Sequence, residues 1–125
     1  MGKISLMELQ EELKSREKEL TPLFKPGFLQ RDHTVFQFEF DEGEPFYLTV
    51  TTNRFSLAAG RHDAPTLRLF IDDHATCWAL IQGRLDGMQA FMEGRYRTDG
   101  HIVLSQLLLY LFKANDLTNI YQVQD

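Results

Sequence analysis

Large apolar side chains crowd most densely between His101 and Phe112, where only Ser105 and Gln106 interrupt the run His-Ile-Val-Leu-Ser-Gln-Leu-Leu-Leu-Tyr-Leu-Phe. A helix built from this stretch is apolar around most of its circumference, and such a helix has to be buried. At about 1.5 Å per residue it would be roughly 18 Å long, short of the ~30 Å a bilayer core requires, so it belongs in a protein interior. Each large aliphatic side chain contributes about 1.5–3 kcal/mol on burial, which makes this the strongest local driving force in the chain. It also has more apolar surface than one sheet can cover, which invites something else to be buried against it.

The remaining elements follow from periodicity. Ser5 and Glu8 match a capping box, and Leu6, Leu9, Leu13 and Leu20 recur near helical spacing until Pro22, predicting a helix over Ser5–Leu20. Its other face, with Glu11, Glu12, Lys14, Arg16, Glu17, Lys18 and Glu19, has the pattern of a solvated surface. Pro22, Pro26 and Gly27 mark a connector, in which Phe24, Phe28 and Leu29 tuck against the domain. From Thr34 the period becomes two: Phe36, Phe38 and Phe40 share a strand face, and after a turn at Asp41–Pro45 so do Phe46, Leu48 and Val50. That pair is a hairpin. Phe55, Leu57 and Ala59 continue into a third strand, and Leu67, Leu69 and Ile71 into a fourth, extending the hairpin as an antiparallel meander.

Asp72 or Asp73 then caps a helix running to Gln82, with Gly83 as a left-handed stop and Ala75, Trp78, Ala79 and Ile81 toward the core. A short helix over Gly87–Met92, a brief strand over Gly94–Thr98 and a turn at Asp99-Gly100 lead into the apolar helix. Leu117, Ile120, Tyr121 and Val123 give the tail apolar positions with which to pack as a lid or fray. The order of helix, four strands, helices, one strand and helix predicts an α+β arrangement of helices against one sheet face.

Composition changes this picture only in part. With 125 residues, 43% hydrophobic and 25% charged, the chain reads as one globular domain. Its expected parts are an N-terminal helix and connector over 1–33, a core over 34–112 and a tail over 113–125. A net charge of −5 argues against nucleic acid or an anionic membrane as the main partner, leaving at most transient membrane contact. The single cysteine, Cys77, asks for no oxidising compartment. Ser5, Glu8 and Gln10 break the apolar run a secretory signal needs, and the final Val123-Gln124-Asp125 is no peroxisomal address, so a cytoplasmic location is expected.

Three pieces then occur in order: Gly83-Arg84-Leu85, Ala90-Phe91-Met92-Glu93-Gly94-Arg95-Tyr96-Arg97, and Gly100 before the apolar helix. Their pattern and spacing, after the strands, resemble the sterol carrier protein type 2 domain family from about Val35 to Phe112. The resemblance implies a five-stranded, mostly antiparallel sheet with helices packed on one face. It also implies an apolar tunnel between sheet and helices that takes a fatty acyl chain, an acyl-CoA, or a sterol or isoprenoid. By position in the family, Phe91, Met92, Leu104, Leu107, Leu108 and Leu111 would line the tunnel. The strand and helix faces add Phe36, Phe38, Leu48 and Trp78, and Met88 adds a flexible side chain that adapts to ligands of different shape. Arg84, Arg95 and Arg97 are candidates for holding a carboxylate or phosphate head group. The chain departs from the family at His101, where an aspartate is usual, which leaves Asp99 as the cap of the last helix. It also departs at Thr98 and at Phe46-Tyr47.

Catalysis is the competing class. His33, His62 and His74 adjoin Asp32, Asp63 and Asp73, and Asp99 precedes His101 by two, but nothing sets metal-ligand spacing on one element and no nucleophile elbow occurs. No catalytic residue, metal ligand or cofactor is therefore assigned. A third class is an accessory or assembly module for an enzyme of lipid metabolism. The oligomeric state is not legible.

Overall fold

The computed structural model describes residues 5–25 and 33–112. The expected packing of Phe28 and Leu29, and of the tail from Ala114, lies outside the described residues.

Helix α1 (Leu6–Leu20) begins with the capping box, the Ser5 hydroxyl accepting from the Glu8 amide at 3.1 Å while the Glu8 carboxylate accepts from the Ser5 amide at 2.8 Å. Leu9, Leu13 and Leu20 are buried, whereas Leu6 at the open first turn is exposed. After a 3-10 turn (Thr21–Leu23) come β1 (His33–Glu42), β2 (Phe46–Thr51), β3 (Phe55–Ala59) and β4 (Leu67–Asp73). Helix α2 (His74–Ile81), helix α3 (Gly87–Met92), β5 (Tyr96–Asp99) and α4 (Ile102–Leu111) complete the order.

The sheet order is β3-β2-β1-β4-β5. The β1–β2, β2–β3 and β4–β5 pairs are antiparallel, and β1 pairs with β4 in parallel, Phe36 opposite Leu67 and Phe38 opposite Leu69. This corrects the meander expected for the fourth strand. Alternation fixes which side chains face inward but not which strand lies alongside. The outer edge of β3 is taken up by α1, and β4 is carried across to the free edge of β1.

The crossing from β3 to β4, residues 60–66, spans three strand spacings, about 14 Å, over the sheet face away from the helices. Gln37 holds it there. Only 1% exposed, its side-chain amide donates to the carbonyls of Phe46 at 3.2 Å and Gly60 at 3.1 Å, and its oxygen accepts from the His62 amide at 2.8 Å. Arg61 reaches back to Glu39 at 2.8 Å, and the His62 ring meets Tyr47 edge-on.

On the opposite face, Phe36, Phe38, Leu48, Leu67 and Leu69 point into a core shared with α1, α2 and α4. Phe46 stacks on Trp78 at 5.1 Å between ring centres, and the Arg16 guanidinium lies 4.8 Å over the same indole. Helix α2 is capped by Asp73 and buries Thr76, Cys77, Trp78, Leu80 and Ile81. Ala75 is exposed and Ala79 half-buried, so those two expected core positions are not on the inner face. The helix is wedged between neighbours and offers its larger side chains to them on several sides. Helix α4 starts at His101 without a side-chain cap, while Asp99 belongs to β5 and pairs with Arg68 at 3.5 Å. Nor is α4 buried all round: Leu104, Leu108 and Leu111 enter the core, and Ile102 and Val103 are 43% and 64% exposed.

Candidate functional site

Where α2 ends, Gly83 adopts φ +79° and the amides of Arg84 and Leu85 both donate to the Ala79 carbonyl, folding the chain back toward α4. Asp86 then starts α3, its carboxylate accepting from the Gln89 amide at 3.2 Å. Glycine at position 87 matters for proximity: a Cβ there would collide with Cδ1 of Leu109, so the bare backbone lets α3 lie close over α4.

Between these helices opens a cleft of about 400 Å³. Leu80 and Leu85 close one end, Gly87 and Met88 form one wall, Leu109 and Tyr110 the other, and Asp86 stands at its edge. Met88, Leu109 and Tyr110 also border an adjoining chamber of about 100 Å³ that runs inward to Phe91, Gln106 and Tyr96. The larger space falls within the ~300–1,000 Å³ usual for small-molecule sites.

Tyr96, 2% exposed, forms the inner end, with the Phe91 ring 5.4 Å away. Burial pushes its phenol above the usual tyrosine value, and a side-chain hydrogen bond with Ser105 pulls it partly back. The phenol is therefore neutral at physiological pH. A groove of about 510 Å³ between α1 and β3 is larger, with Met7, Leu13, Leu57, Ala58 and Ala59 beside Gln10, Glu11 and Lys14, but it reaches no buried polar group of this kind.

The expected site residues divide into three sets. Met88 and Phe91 line the cleft. Phe36, Phe38, Leu48, Trp78, Leu104, Leu108 and Leu111 belong to the core cluster, with Leu107 packed against it. Met92 is 77% exposed on the same side of α3 as Met88, itself 61% exposed.

The three arginines separate as well. Arg84 is exposed beside the cleft-lining Gly83 and Leu85 and donates to the Gln82 side-chain oxygen at 2.7 Å. Arg95 and Arg97 flank the inward Tyr96 by one residue each, and strand alternation sends them to the far face of the sheet. There Arg97 lies over the Phe70 ring and Arg95 stands 4.0 Å from Asp72.

The cleft is also lined by Leu80, Leu85, Asp86, Tyr96, Gln106, Leu109 and Tyr110, none of which the sequence pattern assigns to the site. Once Leu104, Leu108 and Leu111 are given to the core, Gln106, Leu109 and Tyr110 remain as the other face of α4, which was the available signal. Tyr96 was marked by alternation with its two arginine neighbours.

The histidines do local work. His74 hydrogen-bonds the Glu44 carbonyl at 2.8 Å, and His62 Nδ1 accepts from the Ala64 amide at 2.9 Å. Among the described residues no three His, Cys, Asp or Glu side chains gather as a metal site. Cys77 is fully buried, and burial pushes its thiol well up, away from the reactive thiolate. Among the described residues no helix is long and apolar enough to cross a membrane.

A five-stranded mixed sheet with helices on one face and a cleft between the last two of them defines a sterol-carrier type of α+β domain. The chain belongs to the SCP-2 sterol transfer family, whose pattern it matches over residues 11–113. Comparison with curated protein sequences gives no match. Among solved structures it is similar to a UbiJ-SCP2 ubiquinone synthesis protein, with TM-score 0.67 and 12% identity over 81% of this chain and 92% of that one. It is also similar to sterol carrier protein 2 from Aedes aegypti in complex with palmitate, with TM-score 0.55 and 20% identity over 85% and 94% of the two chains. A third similar structure is the sec-alkylsulfatase Pisa1 from Pseudomonas sp., with TM-score 0.65 and 12% identity over 81% of this chain, which spans 16% of that enzyme. At these identities the likeness to solved structures is one of fold.

Proposed function

We propose that this chain is a non-catalytic, intracellular lipid-binding domain that holds the apolar part of a fatty acyl, acyl-CoA or sterol- or isoprenoid-like ligand between α3 and α4. The observation that carries this reading is the cleft of about 400 Å³ at the Gly83–Leu85 motif, lined by Leu80, Leu85, Met88 and Leu109 and adjoining a smaller chamber that Phe91 borders. Family membership supports it, as does the palmitate complex of the Aedes aegypti protein. Such a site gains affinity by taking apolar surface out of water, at about 25 cal/mol per Å², and needs few directional bonds. The exposed Met88 and Met92 give ligand exchange an apolar rim that tolerates transient contact with a membrane.

Native mass spectrometry of gently purified protein tests the proposal by seeking co-purifying lipid. Leu109→Trp, which fills the cleft from α4, is expected to abolish that lipid while the melting temperature stays near the parent's. Equal lipid in both proteins would remove the assignment.

A second reading, an accessory module for an enzyme of lipid metabolism, is supported by the fold shared with a ubiquinone synthesis protein across 92% of that chain. Light scattering that shows a stable complex with such an enzyme, from protein carrying no lipid, would favour it.

A further inference from the structure

We propose that the cleft prefers lipids whose polar end is uncharged, an alcohol, ester or carbonyl, over lipids ending in a carboxylate or phosphate. The proposal rests on the cleft reading above and narrows it.

Charge is distributed unfavourably for an anion. Among the described residues lining the two chambers, the charged side chain is Asp86, an acid. The arginines expected to hold a head group are elsewhere: Arg95 and Arg97 engage Asp72 and Phe70 on the far face of the sheet. Arg84 adjoins the rim, but its guanidinium donates through Nε at 3.2 Å and Nη2 at 2.7 Å to the neutral Gln82 amide.

The inner end offers neutral hydrogen-bonding groups instead. The buried Tyr96 phenol and the Gln106 side chain both line the smaller chamber. Ser105, fully buried beside them, spends its hydroxyl proton on the Ile102 carbonyl at 2.7 Å. The Gln106 amide, which can donate as well as accept, matches a carbonyl or hydroxyl oxygen without any change in charge, and the Tyr96 phenol oxygen can accept beside it. A carboxylate drawn into the same place would lose its hydration with no cation among the described lining residues to replace it, and would face Asp86 across the cleft.

The experiment uses the full chain and two fluorescent probes with the same pyrenyl-dodecyl body, one ending in an alcohol and one in a carboxylic acid, titrated at neutral pH. The alcohol is expected to bind about tenfold more tightly than the acid, a ratio set by the uncompensated charge. Lowering the pH through the acid probe's own pKa should close the gap. Asp86→Asn keeps a side-chain oxygen able to cap α3 and should narrow the ratio severalfold by strengthening the acid. Tyr96→Phe, checked for an unchanged melting temperature, should weaken the alcohol more than the acid.

Equal affinities, or a tighter acid, would overturn the preference while leaving the lipid site standing. A tighter acid that is lost in Arg84→Gln would identify that arginine as the head-group ligand, also against the proposal. Failure of both probes to bind would remove the underlying lipid site as well.

Discussion

The Glu17 carboxylate on α1 accepts a hydrogen bond from the backbone amide of Leu57 at 2.6 Å, so a helix side chain covers a donor on the open edge of the sheet. Charge patterning alone assigned Glu17 to the solvated face of its helix. Edge strands with unpaired amides invite pairing with another chain, and here α1 blunts that edge with one acceptor.

Glu17→Ala removes the acceptor and leaves the Leu57 amide under a helix, where an unmet donor costs about 1–3 kcal/mol. Urea denaturation should show that loss, and light scattering should show more self-association than in the parent. Glu17→Gln, which keeps a neutral acceptor, should recover part of both. A variant with parental stability and no added association would count against this role.

Replacing Gln37 tests the crossing from β3 to β4. Gln37→Leu keeps the volume but strands the Gly60 carbonyl and the His62 amide, which the glutamine side chain satisfies at 3.1 and 2.8 Å. A loss of about 1–3 kcal/mol is expected in chemical denaturation, from two part-buried polar groups left without their partners. Faster amide exchange should be confined to residues 60–66 and the adjoining strands.

Asp73 gives the fold a pH dependence of known sign. Its carboxylate caps α2, accepting from the Thr76 amide at 2.9 Å, and that bond, with further hydrogen bonding to Thr76, holds its pKa below the usual aspartate value. A depressed folded pKa means that the stabilisation is complete above the unfolded value of about 4 and is lost as pH falls through the folded one. Asp73→Asn retains a capping oxygen and should flatten that part of the acid limb in thermal melts below about pH 4. Asp73→Ala should cost about 1 kcal/mol at neutral pH. An acid limb unchanged in the Asn variant would show that other carboxylates dominate it.

Gly87 sets the width of the cleft. Alanine there improves helix propensity by up to ~1 kcal/mol, but its methyl takes the position of the Leu109 Cδ1 end, which has to swing away. Gly87→Ala is therefore expected to leave the melting temperature within a few degrees of the parent's and to lower retention of an apolar probe severalfold. Unchanged retention would mean that Leu109 turns away from the cleft.

Local signals carried much of the architecture. Ser5 with Glu8, the alternation through Phe36, Phe38, Phe46 and Leu48, and Asp73 at the head of α2 each act within a few residues, so sequence spacing specifies them directly. The bounds of α3 follow likewise from Asp86 and the glycine at position 94. Information about neighbours was missing. The parallel pairing of β1 with β4 depends on a glutamine whose partners lie up to 25 residues away, and no period reports that. The cleft was legible only as excess: α4 has more apolar surface than its core contacts use, but Leu109 and Tyr110 could be assigned to it only after the core had claimed the opposite face. Charge makes the arginines at 95 and 97 head-group candidates, but their alternation with Tyr96 separates them from the apolar side.

The parallel pairing at the centre of the sheet also bears on how quickly the chain reaches its native state. Strand β1 meets its hairpin partner β2 through a short turn, but joining β4 on the other side closes a loop of 31 residues, as in the bonds between Val35 and Thr66. Loop-closure entropy grows as about (3/2)RT ln n, and contacts distant in sequence slow the search. A β1–β2–β3 unit should accordingly form first and wait for β4 and β5 to dock, leaving the β1 edge open in the interval. Refolding should then be slower than for a helical domain of this length, with protection of the β4 amides lagging behind that of β2.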